Sequence, residues 1–583
     1  MKRLVKNNWI AAAVLIAVVL GTSWSLLNSH FFIVHDYTHG ARIAEMMRAL
    51  QDGQFPVRWV SNFGFGYGMP LFEFYGPLPF YFGGILFWLG LDLVWSIKTL
   101  ILAANIGTVL GGYLLGRELA RKNKIEAGLI SAAVLTLAPY RAVNLFVRGA
   151  INETWALMFF SWILWSIVRV VKCKKRAWIG LTLGLTGLFL SHNISILIFF
   201  PAALILTGLL WWSFQISESS SFNKQRLITA VKQLFLSGFL AFGLSSFYLL
   251  PAYFQKQFTQ VDQIILGDYF DYHLHFLYLR QLLKPSWGYG GSEWGPNDGI
   301  SFFLGYGQLL LIIFSSLLVL LMLLAKLLPK KQWFLRFENK QLRRSLKLAA
   351  SVLTLMAAVI LITTQKTLVI WDNISLLAYI QFPWRFLMLV VLLTSVLAAV
   401  VISSLKRHSW LLTVLVLLLT IGLNFQYFQP EKYVDQPDKI YYSSPQRIRT
   451  EMSTVLPDYI PSAMPNWHEI EPVQELILNP NQLGKDNFQI LADRSHQKLI
   501  EVNFDVPQTI ELAIASYPGW TASTPVHTAE NGNLILTDVQ GTEKIAVRYI
   551  GTPLVRASNV VSLVSLCVFA GSVLKTNFNI RHD

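Results

Sequence analysis

The side chains best suited to chemistry begin with a His-Asp pair that directly follows the first apolar run. The stretch HDYTHGARIAEMMRALQ sets His35 and Asp36 ahead of a predicted amphipathic helix, His39 to Gln51. A carboxylate that is partly desolvated near lipid has a raised proton affinity and can act as a general base, with His39 beside it. A structural alternative stays open, because an aspartate here can also cap the next helix.

A second polar stretch, APYRAVNLFVRGAINETWAL, contains Arg141, Arg148 and Glu153 between two apolar runs. Its position along the chain predicts that it faces the same side of the membrane as Asp36. Guanidinium groups bind phosphate through two hydrogen bonds at once, so this stretch and Asp36 form a candidate site for a phosphate and a hydroxyl. The alternative is that the arginines snorkel to the interface and Glu153 starts a helix.

Two further polar residues lie at the ends of apolar runs. Burying the imidazole of His192, in LSHN, inside a membrane would cost free energy, which marks it as a candidate binding residue. The alternative is that His192 is simply the polar end of a helix. Arg385 in FPWRFL begins another apolar run. It can meet a lipid phosphate or simply anchor the helix at the interface.

The stretch PSWGYGGSEWG offers Trp287 and Tyr289 as rings on which a sugar can stack. An aromatic belt at the membrane interface is the alternative. The nearby stretch DYFDYHLH contains Asp271, His273 and His275, which are residue types that bind metals, but their spacing establishes no metal site.

The composition places all these residues in a membrane protein. The chain has 583 residues, is 54% hydrophobic and only 14% charged, and has a mean hydropathy of +0.47. These values exclude a soluble globular protein. The net charge of +15 does not indicate nucleic acid, because the basic residues mostly flank apolar runs. A bilayer is therefore the expected surrounding, and no nucleic-acid partner is expected.

The apolar runs predict about twelve transmembrane helices. They lie near residues 9–28, 98–117, 125–140, 154–171, 177–193, 195–213, 233–251, 302–325, 348–365, 385–405, 409–425 and 557–574. The first run has a basic start and no clear cleavage site, which favours an uncleaved helix over a signal peptide. The two cysteines, Cys173 and Cys567, lie in a basic loop and an apolar run, so no disulfide is expected.

The basic loops predict the orientation of these helices. If the run from Pro77 lies along the outer surface instead of spanning, 27 of the 48 basic residues lie on the cytoplasmic side. If that run spans, the loop from Arg117 to Lys124 moves outside and the positive-inside rule fails. Both termini are therefore predicted to be cytoplasmic, and the candidate site residues extracytoplasmic.

Large segments then face outward. Residues 1–425 form the predicted transmembrane domain, with outward loops 29–97 and 252–301, and residues 557–583 form the final helix and tail. Residues 426–556 form a β-sandwich-like domain, because KLIEVNFDV, TIELAIASY and KIAVRYIG alternate as half-buried strands do and NGN predicts a hairpin turn.

Several motifs together resemble one group of bacterial proteins: Asp36 after the first helix, GYGMPLFEFYGPLPFYF, APYRAVNLFVRGAINE, LSHN, FPWRFL and YPGW. In this order they resemble GT-C-type membrane proteins of the group labelled 6-pyruvoyl-tetrahydropterin synthase-related, which are close to membrane proteins implicated in lipoteichoic acid glycosylation. The resemblance covers nearly the whole chain, although each motif is short. It implies a mainly α, polytopic GT-C-like fold with an extracytoplasmic β-domain.

The resemblance also implies a reaction. GT-C enzymes transfer sugar from a polyprenyl-phosphate or diphosphate donor on the outer side of the membrane, with a catalytic acid in the first outer loop, which Asp36 matches. Oligosaccharyltransferases of this superfamily place two acids, with one residue between them, in the second outer loop to hold a divalent metal. Here Ile151 replaces the first acid and only Glu153 matches the second. No metal or other cofactor is therefore expected, and a divalent ion, if one binds, would be held by Asp36 and Glu153.

The sequence predicts an inverting glycosyltransferase that moves a sugar from a polyprenyl-phosphate donor to a cell-envelope glycan or teichoic acid. A lipid or glycan transporter is one alternative, but the apolar runs hold few charges and no paired broken helices. A non-catalytic scaffold that presents the β-domain to cell-wall polymers is the other.

Overall fold

The computed structural model describes residues 2–216, 223–327, 340–405, 409–434 and 443–578. The helices of ten or more residues in these ranges are α1 (Lys2–Ser23), α2 (His39–Gln51), α3 (Leu78–Trp88), α4 (Leu93–Leu119), α5 (Lys124–Thr136), α6 (Ile151–Val171), α7 (Ala177–Phe189), α8 (Asn193–Trp211), α9 (Lys224–Phe254), α10 (Tyr306–Leu327), α11 (Lys340–Ile362), α12 (Leu387–Ser404), α13 (Ser409–Asn424) and α14 (Pro553–Phe578). The strands are β1 (Phe31–Phe32), β2 (Tyr433–Val434), β3 (Phe488–Arg494), β4 (Gln497–Ala515), β5 (Trp520–Ala522), β6 (Val526–Thr528) and β7 (Asn533–Tyr549).

The predicted many-helix membrane fold is confirmed. Ten helices of the described ranges are long and apolar enough to cross a membrane. Helix α5 and the segment Pro139–Val147 form a pair bent by 46°, which is either a broken eleventh span or a re-entrant loop. The predicted crossing at 177–193 is α7, whose 13 residues rise about 20 Å, less than the roughly 30 Å hydrocarbon layer. Helix α3 has 11 residues and is likewise too short to span, as expected for the run from Pro77.

The first of two compact units comprises Met1–His35, Ile101–Ala241 and Asp268–Val434. Its centre is α12, which is apolar on all sides and therefore almost wholly buried, packed against α5 and α11. Strand β1 pairs with β2, with Phe31 opposite Val434, and this pairing fixes the chain that follows α1. The His35 amide then donates to the Val147 carbonyl at 2.9 Å.

The second unit comprises Asp36–Leu100, Phe242–Gly267 and Asp435–Asp583. Helix α2 has the predicted bounds, and α3 packs closely against it. A Cβ at Gly84 of α3 would lie only 2.8 Å from the Met46 side chain, so the glycine permits this approach. The domain boundaries drawn at residues 425 and 556 stay predictions.

The predicted β-rich domain is confirmed as a five-stranded antiparallel sheet in the order β3-β4-β7-β5, with β6 also paired to β7. The stretch KLIEVNFDV and most of TIELAIASY form the single long strand β4, which ends at Ala515. Every second residue of its first part, 497–504, is buried as the period of two predicts. The turn NGN connects β6 to β7, with Gly532 at φ +83°. The glycine of YPGW, Gly519, has φ +111°, and its missing Cβ would lie 2.8 Å from Gly551.

Candidate active site

The Asp36 cluster, in the second unit, consists of Asp36, Thr38, His39, Arg42 and Tyr75. Helix α2 begins at His39 with Thr38 as its N-cap, so Asp36 lies ahead of the helix. The Asp36 carboxylate accepts a hydrogen bond from the Thr38 hydroxyl at 2.8 Å and from the Arg42 guanidinium at 3.0 and 3.1 Å. One contact from a hydroxyl and two from a guanidinium group therefore orient this carboxylate.

The other two members complete the cluster. The His39 imidazole lies 3.8 Å from Asp36 and stacks against Phe80, and the Tyr75 hydroxyl donates to Asp36 at 3.4 Å. Arg42 lies over the Tyr75 ring, 4.1 Å from its centre. Arg42 and His39 are 2% and 1% exposed, whereas the Asp36 side chain is 33% exposed. The carboxylate is thus partly accessible, whereas the guanidinium and imidazole groups beside it are buried.

The expectation that Asp36 has a raised proton affinity is wrong. Burial by itself raises the pKa of Asp36, but the Arg42 and His39 charges and the hydrogen bonds from Arg42 and Thr38 hold that pKa well below its usual range. The ion pair between Arg42 and Asp36 was not predicted, although the spacing of three residues puts Arg42 and His39 on one helix face. Asp36 is therefore an ionised carboxylate near neutral pH and a weak base.

A second carboxylate, Asp458, belongs to the same surroundings and was not predicted. It is half-buried, and its charge acts on Asp36, Arg42 and Tyr75. It lies in the irregular stretch LPDYIP, far along the chain, where no local pattern marks it.

The Glu153 cluster, in the first unit, consists of Tyr140, Asn144, Arg148, Glu153 and Arg385. Glu153 is in the first turn of α6, where an acid is favoured by the helix dipole. The Tyr140 hydroxyl donates to it, Asn144 donates at 2.9 Å, and Arg148 donates at 2.8 Å. The Arg385 Nε atom lies 3.6 Å from the carboxylate. Glu153 is 1% exposed and thus a buried acid between two guanidinium groups.

The two guanidinium groups of this cluster are held in place by further contacts. Arg148 also donates to Asn144 Oδ1 at 2.6 Å and lies over the Trp384 ring, 4.6 Å from its centre. Arg385 donates to the Ile380 carbonyl at 2.7 Å and to Gln381 Oε1 at 2.8 Å. The sequence prediction brought Arg148, Glu153 and Arg385 together, and the structure places them together.

The remaining candidates have separate contacts. The His192 ring contacts Ser195 Oγ at 2.7 Å, and its charge would act on Glu153. Arg141 is fully buried and donates instead to Thr136 and Asn105, so its observed contacts are structural.

In the loop that carries Trp287 and Tyr289, the Tyr289 carbonyl lies 2.9 Å from His35 Nε2. Trp287 packs on Tyr289 and Tyr427, with ring centres 6.0 and 5.0 Å away, and both predicted sugar-stacking rings are half-buried.

A guanidinium group contacts each of the two carboxylates that are the candidate metal ligands. Both oxygens of Glu153 and of Asp36 already accept hydrogen bonds, in each case with a guanidinium group as one donor. The guanidinium charges repel a cation, and the donors compete with it for the carboxylate lone pairs. The described residues include no group of three or more His, Cys, Asp or Glu arranged to hold a metal.

No family model matches the chain. An uncharacterized protein of Lactococcus lactis subsp. cremoris (strain MG1363) is 26% identical over 254 residues, which are 42% of this chain. This match spans 40% of the length of that relative. Among solved structures, the apo oligosaccharyltransferase of Archaeoglobus fulgidus is similar with a TM-score of 0.41 at 12% identity, over 80% of this chain and 61% of that one. Likeness at this level establishes no shared function.

Proposed function

We propose that the protein is an inverting glycosyltransferase that moves a sugar from a polyprenyl-phosphate donor to an extracytoplasmic acceptor, a cell-envelope glycan or teichoic acid. The observation that carries this proposal is the Asp36 cluster. An ionised carboxylate, oriented by Arg42 and Thr38, is partly exposed beside buried side chains, in the segment that follows the first apolar helix along the chain. Such a group suits a reaction in which a hydroxyl must be oriented and positive charge stabilised.

The Asp36 carboxylate accepts a hydrogen bond from the acceptor hydroxyl and so directs the hydroxyl oxygen at the anomeric carbon. As that oxygen bonds to the carbon, the bond from the carbon to the phosphate oxygen breaks, and its electron pair leaves with polyprenyl phosphate. The hydroxyl proton becomes strongly acidic as the new bond forms, and it passes to Asp36 and from there to water. Glycosyl transfer passes through a transition state with oxocarbenium-like positive charge, which a fixed carboxylate stabilises. His39 and Tyr75 hold the carboxylate in its orientation from either side. Attack on the face opposite the leaving group inverts the configuration of the sugar.

The Glu153 cluster suits the phosphate of the donor. Arginine stays charged beside lipid and grips two oxygens at once, and Glu153 and Asn144 pre-orient Arg148 for that contact. Arg385 adds a second positive charge next to Glu153. These charges stabilise the departing polyprenyl phosphate, and this role of arginine makes a divalent metal unnecessary.

The motif order supports the finer assignment to GT-C-type proteins near those of lipoteichoic acid glycosylation. The basic loops support cytoplasmic termini and an extracytoplasmic site. We also assign four rings to substrate binding on the grounds of the motif order: those of the half-buried Trp287 and Tyr289 and those of His35 and His192.

The test is sugar transfer by purified protein in liposomes that contain a radiolabelled polyprenyl-phosphate hexose and a teichoic acid or glycan acceptor. We expect transfer with inverted anomeric configuration, unchanged by a chelator. Loss of transfer on chelation, restored by a divalent ion, would refute the arginine account of the leaving group. Binding or movement of the lipid-linked sugar without any transfer would favour the scaffold or the transporter.

A further inference from the structure

We propose that a polar cavity at the C-terminal end of α2 binds one sugar unit of the acceptor, away from the hydroxyl that reacts. Residues that line this polar cavity include Arg48, Asp52, Asn62, Tyr67 and Arg449, all in the second unit. The inference rests on the proposed glycosyl transfer, because it assigns to that reaction a place where its acceptor is held.

The polar cavity lies where the end of α2 and the loop after it meet the β-sheet domain. Asp52 accepts from the Ser495 amide at 2.6 Å, and the Ala515 amide donates to the Tyr67 carbonyl at 2.8 Å. These hydrogen bonds fix the walls relative to one another. The volume of about 230 Å³ is below the roughly 300–1,000 Å³ of pockets for drug-sized ligands, so the cavity suits one small unit of a larger molecule. Gln51 of the lining is exposed, which leaves the cavity open to solvent.

The charged side chains of the lining compensate one another. They are three basic and three acidic residues: Arg48, Arg449, Lys498, Asp52, Glu475 and Asp493. Lys498 pairs with Asp493, and Arg48 donates to Glu45 at 2.5 Å. A lining without net charge does not favour a free ion as the ligand. A neutral polyhydroxyl compound can use both kinds of group, because each hydroxyl donates and accepts hydrogen bonds, and those to charged groups are the strong ones.

Arg449 is held ready for such a contact. Its Nε donates to Asn62 Oδ1 at 3.0 Å, and its Nη1 donates to the carbonyls of Val473 and Gln474 at 3.3 and 2.9 Å. Among the residues that the structure describes, no carboxylate pairs with Arg449 and its Nη2 has no acceptor. The guanidinium group is thus fixed by neutral oxygens and keeps donors for a ligand hydroxyl.

Tyr67 supplies an aromatic ring to the same cavity and belongs to the motif GYGMPLFEFYGPLPFYF. Its neighbours Gly66 and Gly68 have φ +95° and +78°, and a Cβ there would lie 2.6 Å from the Val473 carbonyl and 2.5 Å from the Trp59 ring. The loop therefore packs closely on both sides, while Tyr67 itself is half-buried. In the described part of the chain, the Tyr67 hydroxyl forms no hydrogen bond and its ring contacts no other ring. A ring that is not used in packing suits the apolar C–H face of a sugar.

The polar cavity and the Asp36 cluster lie at opposite ends of α2. Arg48 comes nine residues after His39, so about 13 Å separates them along the helix axis. A hydroxyl at Asp36 and a sugar in the polar cavity therefore belong to different units of one acceptor. Binding of the distant unit holds the reacting hydroxyl near Asp36 and should affect the acceptor KM more than kcat.

Saturation-transfer NMR of the full chain in phosphatidylcholine nanodiscs tests sugar binding without the sugar headgroups of maltoside detergents. The probes are glucose, galactose and N-acetylglucosamine, with inorganic phosphate followed through its phosphorus line width. We expect at least one sugar to receive saturation from the wild type and from Tyr67→Phe, which keeps the ring, and to lose it in Tyr67→Ala. Tyr253→Ala, at an exposed tyrosine, is the matched control and should keep the signal.

The liposome assay tests whether this binding serves the acceptor. Tyr67→Ala and Arg449→Lys should each raise the acceptor KM about tenfold and change kcat and the donor KM much less. Arg548→Lys, at an exposed position of β7, should match the wild type. Thermal unfolding checks each variant, and Tyr67→Leu, which keeps apolar bulk without a ring, replaces Tyr67→Ala if the latter does not fold.

Three results would overturn the inference and leave glycosyl transfer intact: no saturation of any sugar by the wild type, equal saturation by the wild type and the ring-deleted variant, or an unchanged acceptor KM. Broadening of the phosphate signal alone would likewise overturn it, because the cavity would then be an anion site. Sugar binding that depends on Tyr67, in a wild type that transfers no sugar, would instead contradict the proposed function and keep the polar cavity as a sugar site.

Discussion

At the scale of single residues, the proposed chemistry depends on pairing between acids and arginines. Each candidate acid is oriented by a guanidinium group, Asp36 by Arg42 and Glu153 by Arg148. The two acids differ in side-chain exposure, which is 1% for Glu153 and 33% for Asp36, and this difference suits them to different roles. Glu153 therefore positions its arginines, whereas Asp36 is available to a substrate.

Arg148→Lys should weaken use of the donor much more than it weakens folding. A lysine can still contact Glu153 as a point charge, but it cannot also bind Asn144 and grip two phosphate oxygens in the planar geometry of arginine. We expect the KM for the polyprenyl-phosphate sugar to rise about tenfold, in line with the loss of one charge-assisted hydrogen bond. Donor kinetics and thermal unfolding of the same preparations measure the two effects.

The control for this substitution is Arg176→Lys, in an exposed loop, which should leave the KM unchanged. A donor KM for Arg148→Lys equal to that of the wild type would remove Arg148 from the phosphate site.

At the scale of elements, buried Glu73 connects the turn before Tyr75 to the β-sheet domain. Its carboxylate accepts from the Tyr549 hydroxyl at 2.7 Å and the Tyr517 hydroxyl at 3.0 Å, and Arg58 lies 3.8 Å away. Tyr517 belongs to the YPGW motif. This motif therefore turns the chain between β4 and β5 and also, through the hydrogen bond from Tyr517 to Glu73, holds the turn that precedes Tyr75.

The charge state of Glu73 should make stability depend on pH. Burial raises its pKa in the folded protein, although Arg58, Tyr549 and Tyr517 act in the lowering direction. Ionisation is therefore harder in the folded than in the unfolded chain, and stability falls as the pH rises from the usual glutamate pKa through the raised one. We expect the wild-type Tm to decline over that range and Glu73→Gln, which imitates the neutral form, to flatten the decline.

Thermal unfolding across this pH range is the measurement, with exposed Glu475→Gln as the matched control that keeps the wild-type slope. An equal decline in Glu73→Gln would show that another group causes it.

The sequence predicted those elements whose signal is local. Apolar runs of about twenty residues predicted the helices, and the alternation of apolar and polar residues predicted β4 and β7. The short spacing between Arg148 and Glu153 predicted that these two members of the Glu153 cluster lie together. The electrostatic effect between Asp458 and Asp36 depends on tertiary packing of distant segments, which no local pattern encodes. The pKa of Asp36 was predicted in the wrong direction because burial was considered without the ion pair to Arg42.

At the scale of the whole molecule, the predicted orientation rests on the basic loops. Two of them include residues 328–339 and 406–408, which lie outside the described residues, as does Ser220. The positive-inside rule still predicts cytoplasmic termini and an outward β-sheet domain.

Cysteine accessibility in intact cells measures this orientation. In a variant in which Cys173 and Cys567 are replaced, Ser220→Cys should resist a membrane-impermeant thiol reagent until the cells are opened. Asp505→Cys, at an exposed position of β4, should react at once. External labelling at position 220 would reverse the topology and place the Asp36 cluster on the cytoplasmic side.

The central claim is that the Asp36 carboxylate is required for sugar transfer, and the rate of transfer by Asp36→Asn tests it most directly. The substitution keeps the volume of the side chain and removes its charge, and exposed Asp505→Asn is the matched control. In the liposome assay, with folding checked by thermal unfolding, we expect Asp36→Asn to lose about a hundredfold or more in rate while Asp505→Asn keeps the wild-type rate. Transfer by folded Asp36→Asn at the wild-type rate would contradict the account.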